Sequence, residues 1–117
     1  MLTVKVKMSK ARWNEWIAAL RSDKYSQGRR GMLFDGFDHC CLGVLCDIAG
    51  VDLEQYGSWS GLARCPNELV VAIPRELRSR LANLNDSGKY DFNQIADFLE
   101  MCEACGIITL DTSAEKV

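Results

Sequence analysis

The stretch His39-Cys40-Cys41-Leu42-Gly43-Val44-Leu45-Cys46-Asp47 sets three of the six cysteines of the chain and its only histidine in an almost wholly apolar run. Such a run is a metal site, a reactive thiol or core. Free cysteine behaves as a small hydrophobe and is among the most buried residue types, so core is the reading that the other two must displace. Asp38 is placed to cap a helix through Cys41, Leu42, Val44, Leu45, Ile48 and Ala49, which Gly50 ends as a left-handed C′ residue. Apolar nearly all round, this helix is predicted to lie buried at the centre of the domain.

Working outward toward the amino terminus, Trp13, Trp16, Ile17 and Leu20 share one helical face, with Ser9 as N-cap and Arg12, Asn14, Glu15 and Arg21 largely off that face. Leu2, Val4 and Val6 alternate as a short strand, and Ile107, Ile108 and Leu110 form a second that can pair with it. Between the first helix and the cysteine run lies a polar loop, Ser22 to Gly31. In Met32-Leu33-Phe34-Asp35-Gly36-Phe37 an Asp-Gly pair sits between apolar residues, which predicts a tight hairpin because both turn positions need positive φ.

Toward the carboxyl terminus, residues 51 to 68 read as an irregular surface loop carrying Tyr56 and Trp59, and Leu69 to Ile73 as a strand or an early helical turn. Pro74 suits the first turn of a helix with Leu77, Leu81 and Leu84 inward, and Asn85-Asp86-Ser87-Gly88 stops it. Asp91 with Gln94 forms a capping-box pattern, Tyr90 can staple to Ile95, and Phe92, Ile95, Phe98, Leu99 and Cys102 trace a buried face that Gly106 ends. The expected fold class is α+β, mainly α: about four helices around a buried central helix, with a short hairpin and terminal strands, in a single domain over 1–117.

The bulk numbers agree. A chain of 117 residues, 48% hydrophobic and 26% charged, buries a core without help from disulfides or metals. Its net charge of −2 argues against a generic nucleic-acid binder, which needs excess Lys and Arg on its contact face. The amino terminus lacks the pattern of a signal peptide, and no window is apolar enough for a membrane span. A soluble cytoplasmic protein with reduced thiols is expected.

Each candidate for chemistry has a plainer competitor. Cys102-Glu103-Ala104-Cys105 with Cys41 and Cys46 would offer zinc four thiolates, but zinc sites place cysteine pairs on knuckles or turns and both pairs here fall within predicted helices. Ordinary thiols and no metal are expected. A thioredoxin-like role needs the C-x-x-C at a helix start after a strand, whereas this one sits late in a helix. A helix N-terminus modestly favours a reactive Cys40 or Cys41. Neighbours such as His39 and Cys40 do not face each other at a helix start, however, and nothing completes a triad. No catalytic residue is assigned, and without a phosphate-binding glycine loop or H-E-x-x-H no cofactor is expected.

The loop from Ser22 to Arg30 is different in kind. Arg29 and Arg30 can pair with phosphate, Tyr25 can stack on a base, Gln27 can hydrogen-bond, and Gly28 lets backbone N–H groups approach an anion. A solvated turn is the commoner use of such residues. Asn85 and Asp86 either end their helix or hydrogen-bond a ligand, and ending the helix is the default.

Trp16-Ile17-Ala18-Ala19-Leu20-Arg21-Ser22, Tyr25-Ser26-Gln27-Gly28, Cys40-Cys41-Leu42-Gly43-Val44-Leu45-Cys46-Asp47, and Leu84-Asn85-Asp86 followed by Phe92 and Ile95-Ala96-Asp97 together resemble a family of small uncharacterised proteins encoded by bacteriophages and prophages. The terminal strands, Cys102 and Cys105 lie outside the resemblance. It implies a phage accessory protein in the host cytoplasm, and inhibitors of host defence are common among these. One mechanism is sequestration of a nucleotide immune signal by Tyr25, Gln27, Arg29, Arg30, Asn85 and Asp86, in a pocket that a homo-oligomer can share. The alternative is direct binding of a host defence protein, as anti-CRISPR proteins do. A third class, a small thiol-dependent or nucleotide-cleaving enzyme, would consume its ligand and depend on Cys41 or His39. Sequestration is the leading expectation.

Overall fold

The computed structural model describes residues 3–29, 37–50 and 73–111. Within them the chain runs β1 (Val4–Val6), α1 (Lys10–Arg21), α2 (Cys41–Ile48), α3 (Arg75–Asp86), α4 (Phe92–Ala104) and β2 (Ile108–Leu110). The class is α+β, mainly α. Helix α1 packs on α2 and α4, and α3 packs on the same two, so the four helices close a ring around the core.

The ring follows from the apolar stripes. Ser9 caps α1, its Oγ accepting from Arg12 N at 3.1 Å, and Trp13, Trp16, Ile17 and Leu20 are buried as their spacing predicts. The two indoles meet edge to face, 5.7 Å between centroids, a geometry worth about 0.5–1.5 kcal/mol beyond the area buried. Each buried indole N–H needs an acceptor: Trp16 Nε1 donates to Cys41 O at 2.8 Å and Trp13 Nε1 to Glu103 Oε1 at 3.0 Å. Both bonds cross to another helix. At the rim, Arg21 pairs with Asp97 and Glu100 of α4, and Lys10 with Glu103.

Helix α2 is buried from Cys41 to Cys46 and ends at Gly50, φ +85°, as expected. Its start differs from expectation. Cys40, not Asp38, is the N-cap, and its Sγ accepts from Gly43 N at 3.3 Å. The cause is long-range: Gln27 and His39 form a parallel β-bridge that keeps the residues before Cys40 extended, so the helix begins later. In α3 the buried stripe is Leu77, Leu81 and Asn85, while Leu84 is only partly buried.

Helix α4 opens with the expected capping box, Asp91 Oδ1 accepting from Gln94 N at 2.8 Å and Gln94 Oε1 from Asp91 N at 2.9 Å. It ends at Gly106, φ +82°, which turns the chain into β2. The two strands do pair, in parallel, with Val4 opposite Ile108 and Val6 opposite Leu110. The predicted hairpin at Met32 to Gly36, the loop from 51 to 68 and the segment from Leu69 lie outside the described residues, apart from Phe37 and Ile73. None of the helices described is long and apolar enough to cross a membrane.

Candidate functional site

The polar loop is built by the end of α1. Ser22 caps the helix and Asp23 adopts a left-handed φ of +61°, reversing the chain. The next residues run alongside those preceding α2: His39 N donates to Ser26 O at 2.9 Å and Gly28 N to His39 O at 2.8 Å. Gly28 is buried against Asp38, and a Cβ at this position would lie 3.1 Å from Asp38 Cβ. Glycine suits this close approach, since a side chain would have to push Asp38 back by a few tenths of an ångström against the bridge that holds the two segments together.

Three of the predicted site residues come together around one buried side chain. Asn85 has no exposed surface. Its Oδ1 accepts from Gln27 Nε2 and from Cys41 N, both at 3.1 Å, and its Nδ2 donates to Gly28 O at 2.6 Å and to Asp86 Oδ1 at 3.0 Å. A carboxamide has two donors and two acceptor sites, and all four are used within the chain. Gln27 Nε2 also donates to Tyr90 O at 3.0 Å, and Arg29 donates to Asn85 O at 2.7 Å and to Gln27 Oε1 at 3.3 Å. Asn85 thus joins the loop, the start of α2 and the end of α3. Gln27 and Arg29 form the outer layer of the cluster, with Arg29 exposed.

Tyr25 belongs to a different place. Its hydroxyl donates to Asp47 Oδ2 at 2.5 Å, and its ring meets the His39 ring edge to face, 5.1 Å between centroids. Burial, reinforced by the bond to Asp47 and its charge, pushes the phenol up to about 12. Asp47 and Cys41 are about 9 Å apart along α2 at ~1.5 Å per residue, so Tyr25 and the Asn85 cluster brace opposite ends of one helix. Arg30 lies outside the described residues, and Asp86 is exposed next to Asn85.

The thiols of the cysteine run are core. Burial pushes Cys40 up to about 11 and holds Cys41 well above the ordinary thiol value. Near neutral pH both are therefore protonated and weakly nucleophilic. Cys40 is occupied as a cap, and Cys41 Sγ donates to Leu81 O at 3.8 Å. Among the described residues, no three His, Cys, Asp or Glu side chains gather where they could hold a metal ion.

Two exposed aromatic residues carry no sequence signal that marks them as site residues. Phe37, 89% exposed, precedes the Asp38 that packs on Gly28, and Tyr90, 39% exposed, carries the carbonyl that fixes Gln27. Phe37 is masked in sequence by the hairpin pattern it belongs to, and Tyr90 by its suitability as a staple. Asn85 is among the predicted site residues, and its core position is legible too: Leu77, Leu81 and Asn85 recur every four residues, which sets an amide on the core face of α3.

A family profile for a domain of unknown function, DUF8296, matches residues 8–69. The chain belongs to the DUF8296 family. That uncharacterised domain takes in α1, the polar loop and α2. In this DUF8296 protein, therefore, Gln27, Gly28 and Cys41 lie inside the matched span while Asn85, which binds all three, lies beyond it. No curated protein and no solved structure matches the chain.

Proposed function

We propose that this DUF8296 protein is a phage accessory protein that counters host antiviral defence in the host cytoplasm, by binding rather than catalysis, and that it sequesters a nucleotide-derived immune signal. The observation that supports this reading is the placement of Arg29. Its guanidinium is exposed yet tied at two points, to Asn85 O and Gln27 Oε1, so little side-chain freedom remains to be lost when its other N–H groups meet a phosphate. The exposed rings of Phe37 and Tyr90 belong to the segments flanking Arg29 and offer faces on which a base can stack. Asn85 is then the positioning residue and Asp86 its acceptor. Ligand contact falls to Arg29 and the outer edge of Gln27, with Arg30 next in the chain. The high, buried thiols of Cys40 and Cys41 weigh against the enzymatic alternative.

The test is thermal denaturation with cyclic ADP-ribose and with cyclic dinucleotides, followed by mass analysis of the recovered ligand. Sequestration predicts a rise in Tm, equivalent to about 2.7 kcal/mol at one hundred times Kd, with the ligand returned intact and the shift lost in Arg29→Ala. Cleavage of the ligand would make the protein an enzyme. The absence of any shift would end the sequestration reading. Direct binding of a host defence protein is the second reading, and the 89% exposure of Phe37 favours it, because large exposed aromatics are frequent interface anchors.

A further inference from the structure

We propose that Cys102 and Cys105 form a redox modification site, a dithiol that a low-molecular-weight disulfide converts into an intrachain disulfide across the last turn of α4. The two cysteines play different parts because their exposure differs. Cys102 faces the core and is 4% exposed, whereas Cys105 is the exposed one among the described free cysteines. An external reagent therefore meets Cys105 first, and Cys102 is positioned to resolve what forms there.

The backbone suits the bond. Residues three apart in a helix have Cα atoms about 5 Å apart, inside the range of roughly 4.4–6.8 Å that disulfides span. Cys105 Sγ already points back along the helix, donating to Cys102 O at 3.8 Å. Cys105 is also the C-cap, followed by Gly106 in the left-handed region, so its side chain has the end of a helix in which to turn and no following helical turn to obstruct it. Burial and the neighbouring Cys105 both disfavour the Cys102 thiolate, and the charge of Arg80 favours it. At a helix C-terminus the dipole also disfavours thiolates, which makes this pair slow to react and unlike a thioredoxin centre.

The chemistry balances as two thiol–disulfide exchanges. The Cys105 thiolate attacks one sulfur of an oxidised low-molecular-weight thiol such as glutathione disulfide, whose S–S bond breaks and whose departing half leaves as a thiol. The Cys102 thiolate then attacks Cys105 Sγ in the mixed disulfide and expels the second half. Two protons and two electrons pass from the dithiol to the reagent. The product staples the turn that leads directly into β2, the strand that holds β1.

Incubating the full chain with glutathione disulfide, then measuring intact mass and mapping peptides under acid quench, tests this. The expected product has lost two hydrogens, carries no glutathione and links Cys102 to Cys105. In Cys102→Ala, which keeps a small apolar group in the buried place, glutathione should remain on Cys105. In the exposed-site variant Cys105→Ser neither product should form on this helix. Glutathione retained on Cys105 of the unaltered chain would overturn the proposal. So would a link from Cys105 to Cys65 or to a second chain.

Discussion

Replacing Asn85 with alanine removes four hydrogen bonds at once, and the cost is set by the groups left behind. Cys41 N–H is the first helical donor of α2 and has no partner within its own helix, so Asn85 Oδ1 serves as a cap supplied from α3. Gly28 O, on a buried residue, loses the donor that satisfies it. An unsatisfied buried donor or acceptor costs about 1–3 kcal/mol, so the two together should cost ~2–6 kcal/mol. A domain of this size has roughly 5–15 kcal/mol in total, so Asn85→Ala should remove a large share of it.

Urea unfolding measures this directly. With a slope of about 2 kcal/mol/M, the middle of the usual range, the midpoint should fall by ~1–3 M with the slope unchanged. A loss below ~1 kcal/mol would refute the reasoning and return Asn85 to the rank of an ordinary helix-ending residue. Asn85→Asp sharpens the test: it keeps an acceptor for Cys41 N–H but turns an acceptor toward Gly28 O. Burial raises the folded pKa of such a carboxyl, so the folded state binds the proton more tightly. The variant's stability should fall as pH rises through that folded value and recover in acid, where the protonated group can donate to Gly28 O.

Other outcomes follow from the same contacts. Gly28→Ala should cost about 1–3 kcal/mol in a thermal melt, because the added Cβ meets Asp38 Cβ at 3.1 Å and the β-bridge holds both chains in place. Tyr25→Phe should flatten the alkaline limb of the stability curve. With the folded phenol pushed up to about 12 by burial and then by its bond to Asp47, and the unfolded one near ~10, the contribution of the neutral phenol is fully present below pH ~10 and is lost as pH rises toward 12, readable by phenolate absorbance alongside unfolding. Cys40→Ser should change stability by no more than ~1 kcal/mol, since a serine hydroxyl can accept from Gly43 N as the thiol does, and ligand binding should persist; loss of function without loss of stability would revive a chemical role for that thiol.

What was legible in the sequence was whatever local grammar dictates. Ser9 before Trp13, Trp16, Ile17 and Leu20, and Asp91 with Gln94 before Phe92 and Ile95, specify a cap and a stripe within a dozen residues, and both helices form as read. The terminal strands were visible as alternation, but their parallel register depends on the whole domain bringing the two ends together. The start of α2 differs from the local reading because it is fixed by a bridge between Gln27 and His39, twelve residues apart, that no local pattern announces. Asn85 favours turns by residue type, and local sequence leaves it between ending its helix and hydrogen-bonding a ligand. Its position on the Leu77 and Leu81 stripe prevails, since an amide on the core face is stable there when all four of its hydrogen bonds are made.

The interlocking also changes what the cysteine-rich run means. Cys41 gives its backbone N–H to Asn85 and its carbonyl to the Trp16 indole, and Asp47 receives the Tyr25 hydroxyl. The three motifs around Tyr25-Ser26-Gln27-Gly28, Cys40 to Asp47 and Leu84-Asn85-Asp86 are thus one brace, with α2 as its spar. A brace in which inward-pointing side chains hold backbone groups constrains those residues and leaves the ones that point outward less constrained by the fold. Arg29 is bonded to this brace through Asn85 O yet is exposed, and Phe37 and Tyr90 are exposed beside the segments the brace holds. Substituting Arg29 should therefore separate the two roles: a modest loss of stability, because one of its two bonds is exposed and the other only partly buried, and full loss of binding to a phosphate-bearing ligand. Retained binding in a stable Arg29→Ala protein would move the contact surface away from this loop.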